Sequence, residues 1–424
     1  MFLQKEIFSG VFHYGFCSRK FKFNVITINF ILELQEKTAS KNAVLCSLLR
    51  ESCKKYSNNF KLGEKLRSLY GANLFCDVKK AGNKQIVMLG VKILDDEFAL
   101  EGEKLKKEAV ELLMQVIFNP KIENEQFSKK NVELEKNEIK NLLKNIYNDK
   151  KQYALSQAVK TLFEGKAMAV NRFGTLKELE KINEKNLVES YESLILNSKI
   201  LVCSCTREEN FEFLNVLFNR LKAIRSKAFE IKPYEKFYFE KFKEKVEQDE
   251  VLQAKLVLAF AKNEEDLNLK LEDELKIEVM NCLFGGSVTS LLFNNVREKL
   301  SLCYYCRSYY NYFSGVIFVE SGVESKNIEK AYENIILQLE ALKKGDFSEE
   351  ELNQVKCVLE AAYESVVDGE EKVCGFMLNN FLKNRDFSVE RIIEIINSVK
   401  KEDIINAAKM FNVALKYVLK EREN

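Results

Sequence analysis

The chain of 424 residues contains no tryptophan, two prolines and a single histidine, His13. One imidazole excludes any metal or catalytic site built on paired histidines, and hydrolysis through a Ser/His/Asp or Cys/His set is left without support. His13 itself, beside Tyr14 and Gly15, reads as a surface or satisfied side chain. The scarcity of proline argues against long linkers. No stretch approaches the ~18 consecutive apolar residues that would cross a bilayer. The opening MFLQKEIFSGVFHYGFCSRK interrupts with glycine and charge the apolar segment that a secretory leader needs, so a cytoplasmic location is expected. Excess charge is missing too: 66 Lys and Arg against 64 Asp and Glu leave a formal net charge of +2. No global field therefore steers the chain to nucleic acid or to an anionic membrane, and neither is expected as a partner.

Cysteine, by contrast, is plentiful. Eleven thiols, an odd number in a long chain with no sign of secretion, read as reduced core side chains and not as a disulfide framework. Cys303 and Cys306 form a C-x-x-C with no second pair to complete a structural metal site. Hydrophobic residues make up 46% and charged residues 31%, a folded composition, and the length exceeds one ordinary core of about 100–200 residues.

Periodicity supplies the layout. FKFNVITINFILEL (21–34) alternates as a strand, and NAVLCSLLRESC (42–53) has helical spacing, as does KLGEKLRSL (61–69). Strands follow at 73–79 and 85–93, joined by the hairpin signal Ala81-Gly82-Asn83. Amphipathic helices come next at 103–118 and 128–159, the second with a break near Asp149, then a helix at 176–194 and a strand at 199–205. The second half repeats this order: a strand at 251–260, a helix at 269–283, a further helix at 290–299, a hairpin at 303–309 and 316–323, and long helices from 326. A repeat this long duplicates a whole domain and is not a solenoid, whose periods run ~20–50 residues. Two α+β domains of like topology are therefore expected at 1–225 and 247–424, joined by a lysine-rich and aromatic linker at 226–246.

The run LFGGSVTSLLFNNVREKLSLCYYCRS (283–308) carries a resemblance. Its Gly-Gly, Ser-x-Leu-Phe, Arg-Glu and Leu-x-Tyr elements are similar to those in the second domain of the insulinase/pitrilysin-type zinc peptidases, and the duplicated layout extends the likeness over nearly the whole chain. The resemblance implies two domains, each a mainly antiparallel sheet backed by helices, closing as a clamshell around an extended peptide. Active members carry His-x-x-Glu-His on the first helix and a further Glu ligand on a later one. Two imidazoles one turn apart then face one metal while the intervening Glu activates its water. Here the motif falls on Ser47-Leu48-Leu49-Arg50-Glu51, so both imidazoles and the general base are absent. Serine does not replace imidazole as a zinc ligand, and a guanidinium that stays protonated repels the cation. Glu138 in LEKNEIK stands roughly where the family has its third ligand. No metal and no cofactor are expected in this chain, with zinc only in a partner subunit.

What the resemblance retains is the second-domain pair, Arg297 and Tyr304, with Tyr305 as an alternate. An arginine fork can clamp a peptide carbonyl or carboxylate, and a phenol can donate to a developing oxyanion. A degenerate zinc helix beside a surviving Arg and Tyr resembles the non-catalytic members of the family. The segment EKLRSLYGANLFCDVKKAGNKQIV is most like a bacterial zinc-lacking branch linked by name to elongation factor P modification. The implied function is a non-catalytic subunit. It would pair with a zinc-carrying peptidase paralogue as a heterodimer, or with itself, and act on a peptide or unfolded polypeptide. The alternative is a peptide-binding scaffold, or a modification-associated protein, with no part in proteolysis. Gly285-Gly286-Ser287 lacks the Gly-Lys-Ser/Thr ending of a phosphate loop and reads as a turn for close packing.

Overall fold

The computed structural model describes residues 2–225, 232, 234–238, 240–262, 270–385 and 388–422. An N-terminal hairpin of β1 (Phe2–Phe8) and β2 (Val11–Cys17) turns at Gly10, whose φ of 80° suits a residue without a Cβ. Then follow β3 (Phe23–Glu33), α1 (Glu36–Glu51), α2 (Asn59–Ser68), β4 (Asn73–Ala81), β5 (Lys84–Leu94), α3 (Leu105–Phe118) and α4 (Lys129–Asn148). The first half closes with α5 (Lys150–Leu162), α6 (Leu176–Glu180), α7 (Asn186–Leu196), β6 (Lys199–Thr206) and α8 (Asn215–Ile224). The second half holds β7 (Lys243–Asp249), β8 (Ala254–Lys262), α9 (Leu271–Asn281), β9 (Cys303–Asn311), β10 (Val316–Val323), α10 (Ile328–Lys344) and α11 (Glu349–Glu364). It ends with α12 (Glu370–Leu382), α13 (Val389–Ser398), α14 (Lys401–Lys409) and β11 (Phe411–Glu421).

The α+β class and the repeated strand–helix–hairpin order are both present. Asp149 does break the long helix: its carboxylate accepts from the amides of Lys151 and Gln152 and so caps α5. The helix read over 176–194 is two helices, because the Asn183 side chain takes the amides of Lys185 and Asn186 and starts α7 afresh. The start read at Leu269 lies outside the described residues, and the helix is described from Leu271. Of the stretch read as a linker, residues 243–246 belong to β7, while 226–231, 233 and 239 lie outside the described residues.

The chain forms two compact units. The first comprises Met1–Leu143, Val170–Pro233 and Val366–Asp386, the second Lys144–Ala169, Tyr234–Ser365 and Phe387–Asn424. The first unit is built on a six-stranded sheet in the order β1-β2-β6-β3-β5-β4, parallel only at β2–β6. Apolar residues of α1, α3 and α7 meet Ile26, Ile28 and Phe30 on one face. The other face carries α12, with Phe381 centred 5.0 Å from Phe12 and the Cys374 thiol 3.9 Å from the Val25 carbonyl. Cover on both sides explains why β3 is an almost unbroken apolar run. The amide of Asn29 is buried there, and it donates to the Leu201 carbonyl at 3.0 Å and to the Thr27 hydroxyl at 3.1 Å.

The second unit repeats the plan with five strands, β7-β11-β8-β10-β9, parallel only at β7–β11. Here α5 covers one face. Its small residues Ala154 and Ala158, one turn apart, let the helix settle onto Val257, Ala259 and Tyr417. On the opposite face Phe260 of β8 meets Phe284 at 5.8 Å. A polar clamp also fixes α5: Tyr153 and Tyr417 donate to the Glu247 carboxylate at 2.5 and 2.9 Å, and Lys150 pairs with Asp249 at 2.7 Å. The duplication extends to side chains. Phe75 on edge strand β4 lies over Gly90 of β5, as Tyr305 on edge strand β9 lies over Gly322 of β10. A Cβ at Gly90 or Gly322 would come within 2.4 or 2.5 Å of those rings.

Candidate functional site

The last turn of α1 presents Ser47, Arg50 and Glu51. Arg50 is exposed and its Nη2 lies 3.2 Å from the Glu51 carboxylate, which also accepts from Asn59. Beneath them lies Glu135 of α4, only 4% exposed and accepting from the Ser47 hydroxyl. Burial, and then the charge of Glu51, raise the Glu135 pKa, while Arg50 and Ser47 pull it the other way. Glu138, chosen from the sequence, sits on the exposed side of α4. Glu135 escaped the sequence reading. Its signal was the helical phase, because it shares the buried stripe of Val132 and Ile139, where a carboxylate needs a polar partner.

These donors do not fit a zinc ion. Ser47 offers a neutral hydroxyl, Glu51 is already engaged by Arg50 and Asn59, and the Arg50 guanidinium supplies a fixed positive charge between the carboxylates. Among the described residues no cluster of three or more His, Cys, Asp or Glu side chains could hold a metal. His13 lies elsewhere in the first unit, 2% exposed. Its Nε2 is 2.8 Å from the Ser204 hydroxyl, and its ring is edge-on to Phe211. Burial pushes its pKa down to about 4.

In the second unit α9 runs into two widened, π-helical turns at Cys282–Gly286 and Leu292–Lys299, a geometry often found at functional positions. Gly285 permits a close approach: a Cβ there would lie 2.6 Å from Leu292 Cδ1 and 2.8 Å from the Ser308 amide nitrogen. The glycine pair therefore seats the widened helix against both its successor and strand β9. Ser308 completes the junction by donating to the Asn281 side-chain oxygen at 2.8 Å.

Arg297 sits on the second widened turn with its guanidinium 4.6 Å from the centre of the Phe293 ring and its Nε 3.5 Å from Glu298. Its positive charge reaches the Cys303 thiol, the residue before Tyr304. A bulge in β9 shapes this strand end. Val323 pairs with Cys303 and Gly322 with Tyr305, leaving Tyr304 as the extra residue. Tyr304 is 63% exposed, and the bulge turns Cys303 to the same face as Cys306. Tyr305 is half-buried, with Lys151 4.3 Å above its ring, and burial raises its pKa. Tyr309 stacks on Phe318, while Tyr310 is held against Phe411. Ser47, Arg50, Glu51 and Glu135 thus form one group in the first unit. Arg297 lies at the Tyr304 end of β9 in the second, and Tyr305 covers the sheet.

Residues 181–359 match the family described as Peptidase M16 inactive domain. The probable inactive metalloprotease YmfF of Bacillus subtilis is 26% identical over 414 residues, covering 96% of this chain and 95% of that protein. The uncharacterized zinc protease YmxG of the same organism is 28% identical over 179 residues, 41% of each chain. A solved structure of a conserved protein from Enterococcus faecalis V583 is 27% identical and superposes with a TM-score of 0.91 over 100% of this chain and 99% of that one. The chain is thus similar to the M16 peptidase family, through its inactive-domain model over residues 181–359 and through an inactive relative over nearly its whole length. Among the described residues no helix is long and apolar enough to cross a membrane.

Proposed function

We propose that this inactive peptidase homologue is the non-catalytic subunit of a cytoplasmic M16 complex. It pairs with a zinc-carrying paralogue and contributes Arg297 and Tyr304 to peptide handling. The observation that carries the reading is the combination of a spoiled zinc helix, with Arg50 at the general-base position, and a Tyr304 held 63% exposed by a bulge beside Arg297. A buried structural tyrosine would need neither the bulge nor the exposure. The similarity to both an inactive metalloprotease and a zinc protease of one organism supports pairing between two such chains. An extended peptide would add to the outer edge of β4, which among the described residues has a strand partner on one side only.

That outer edge also favours a second reading, in which the chain captures peptide with no share in hydrolysis. One experiment separates the two. The purified chain is assayed for zinc and peptidase activity alone and mixed with a zinc-carrying paralogue from its own source. The subunit reading expects activity that needs both chains and falls about 10–100-fold with Arg297→Ala, the scale of losing a charge-assisted contact. Full activity of the mixture with Arg297→Ala and Tyr304→Phe would overturn the contribution in trans and leave capture alone.

A further inference from the structure

Beside the degenerate zinc helix lies a thiol pair with no counterpart in zinc chemistry. Cys46 of α1 is buried, with its sulfur 3.6 Å from the Asp77 carbonyl, 3.7 Å from the Met88 carbonyl and in hydrogen-bonding contact with the Cys76 sulfur on edge strand β4. Cys76 is partly exposed and points, with Leu74 and Val78, to the face of edge strand β4 that packs on α1, opposite Phe75, Asp77 and Lys79, so a small oxidant can reach it from that edge. Arg50 stands one helical turn beyond Cys46 on the same stripe of α1, and its charge acts on Cys76. An accessible thiol beside a cation, with a second thiol poised behind it, is the arrangement of a redox-sensing pair. The arginine that spoils the metal site thus stands where it can favour a thiolate.

We propose that Cys76 and Cys46 form a peroxide-oxidisable dithiol that reversibly ties α1 to β4. The Cys76 thiolate attacks one oxygen of hydrogen peroxide, the O–O bond breaks, and the other oxygen leaves as water after taking a proton, giving a sulfenic acid. Cys46 then attacks that sulfur, the S–O bond breaks, the hydroxyl leaves as a second water with the Cys46 proton, and a disulfide remains. Two thiols lose two electrons and two protons to one peroxide. The contact with Cys46 and the Arg50 charge hold the Cys76 thiol below its ordinary pKa, against burial and the charges of Asp77 and Glu135.

The second unit holds a comparison pair. Cys303 and Cys306 are also in contact, near Arg297, but are only 8% and 4% exposed. The exposed Cys357 has no such thiol contact among the described residues and serves as the reference for bare exposure.

The test treats the full, reduced chain with hydrogen peroxide, alkylates the remaining thiols and maps peptides without reduction. The expected result is the loss of two thiols per chain, a Cys46–Cys76 linked peptide formed before Cys357 is consumed, and recovery with dithiothreitol. Cys46→Ser should instead accumulate a dimedone-trappable sulfenic acid at Cys76. If that variant fails to fold, the wild-type peptide map decides alone. Consumption of Cys357 or linkage of Cys303 to Cys306 ahead of Cys76, or loss of two thiols without the Cys46–Cys76 peptide, would overturn the proposal.

Discussion

Acidifying the chain from pH 7 to pH 5 crosses the ordinary pKa of a single imidazole, because His13 is the only histidine. Buried at 2% exposure against Phe211, its imidazole has a folded pKa lowered from 6.5 to about 4. The sign follows from which state takes up the proton. Above pH 6.5 the ring is neutral both folded and unfolded, and it contributes no pH dependence. Below 6.5 the unfolded chain gains a proton that the folded chain refuses, so stability falls as pH falls and levels off near pH 4. At 1.36 kcal/mol per pKa unit the full penalty is about 3 kcal/mol, of which about 2 kcal/mol accrues between pH 7 and pH 5. Carboxylates, Glu135 with its raised pKa among them, add a slope of their own toward pH 5, and the difference between wild type and a His13 variant removes it. Urea midpoints followed by circular dichroism at half-unit steps should show the histidine slope in the wild type. His13→Gln, which keeps a polar partner for Ser204, should lose that part of the slope even if its overall stability is lower. Imidazole nitrogen chemical shifts provide the direct check. A ring that titrates near 6.5 in the folded chain, or an identical slope in His13→Gln, would refute the reasoning.

Other expectations rest on packing and charge. Gly285→Ala drives a methyl against the backbone of Ser308 and should lower stability by about 1–3 kcal/mol, measured as a drop in the thermal midpoint. Glu247→Leu removes the acceptor shared by Tyr153 and Tyr417, and should speed hydrogen exchange across α5 while costing about 1–3 kcal/mol. Unchanged exchange would mean that apolar contacts alone hold that helix. Glu135 has a raised folded pKa, so at pH 7 its charge is a liability. Glu135→Gln should raise the unfolding midpoint at pH 7, and the gain should vanish as pH falls below the ordinary glutamate range.

The duplicated plan was legible because each half spells strand, helix, hairpin and long helices in the same order, and periodicity reports such elements well. The hairpin signal at Gly82 and the cap at Asp149 could be read directly, since both act through neighbouring backbone. β1 and β7 were hidden because short strands with charged residues define themselves only against a partner. The site was legible as a motif and less so as a geometry. Arg50 in place of a general base needs only the sequence. Glu135 in place of Glu138 needs the rotation of α4, and the exposure of Tyr304 needs a bulge that strict alternation along β9 does not foresee. The thiol contact between Cys46 and Cys76 joins a helix to a strand, and no spacing rule brings such residues together.

The assignment of α12 to the first unit bears on how the chain is made. The sheet formed by residues 2–206 has one face covered by a helix that spans Glu370–Leu382. During synthesis that face must wait for most of the remaining chain, at the usual ~5–20 residues per second. A nascent chain carries an uncovered apolar sheet for that interval. A fragment cut after residue 225 would keep it uncovered permanently, whereas the same fragment supplied with the 366–386 peptide has the means to close it.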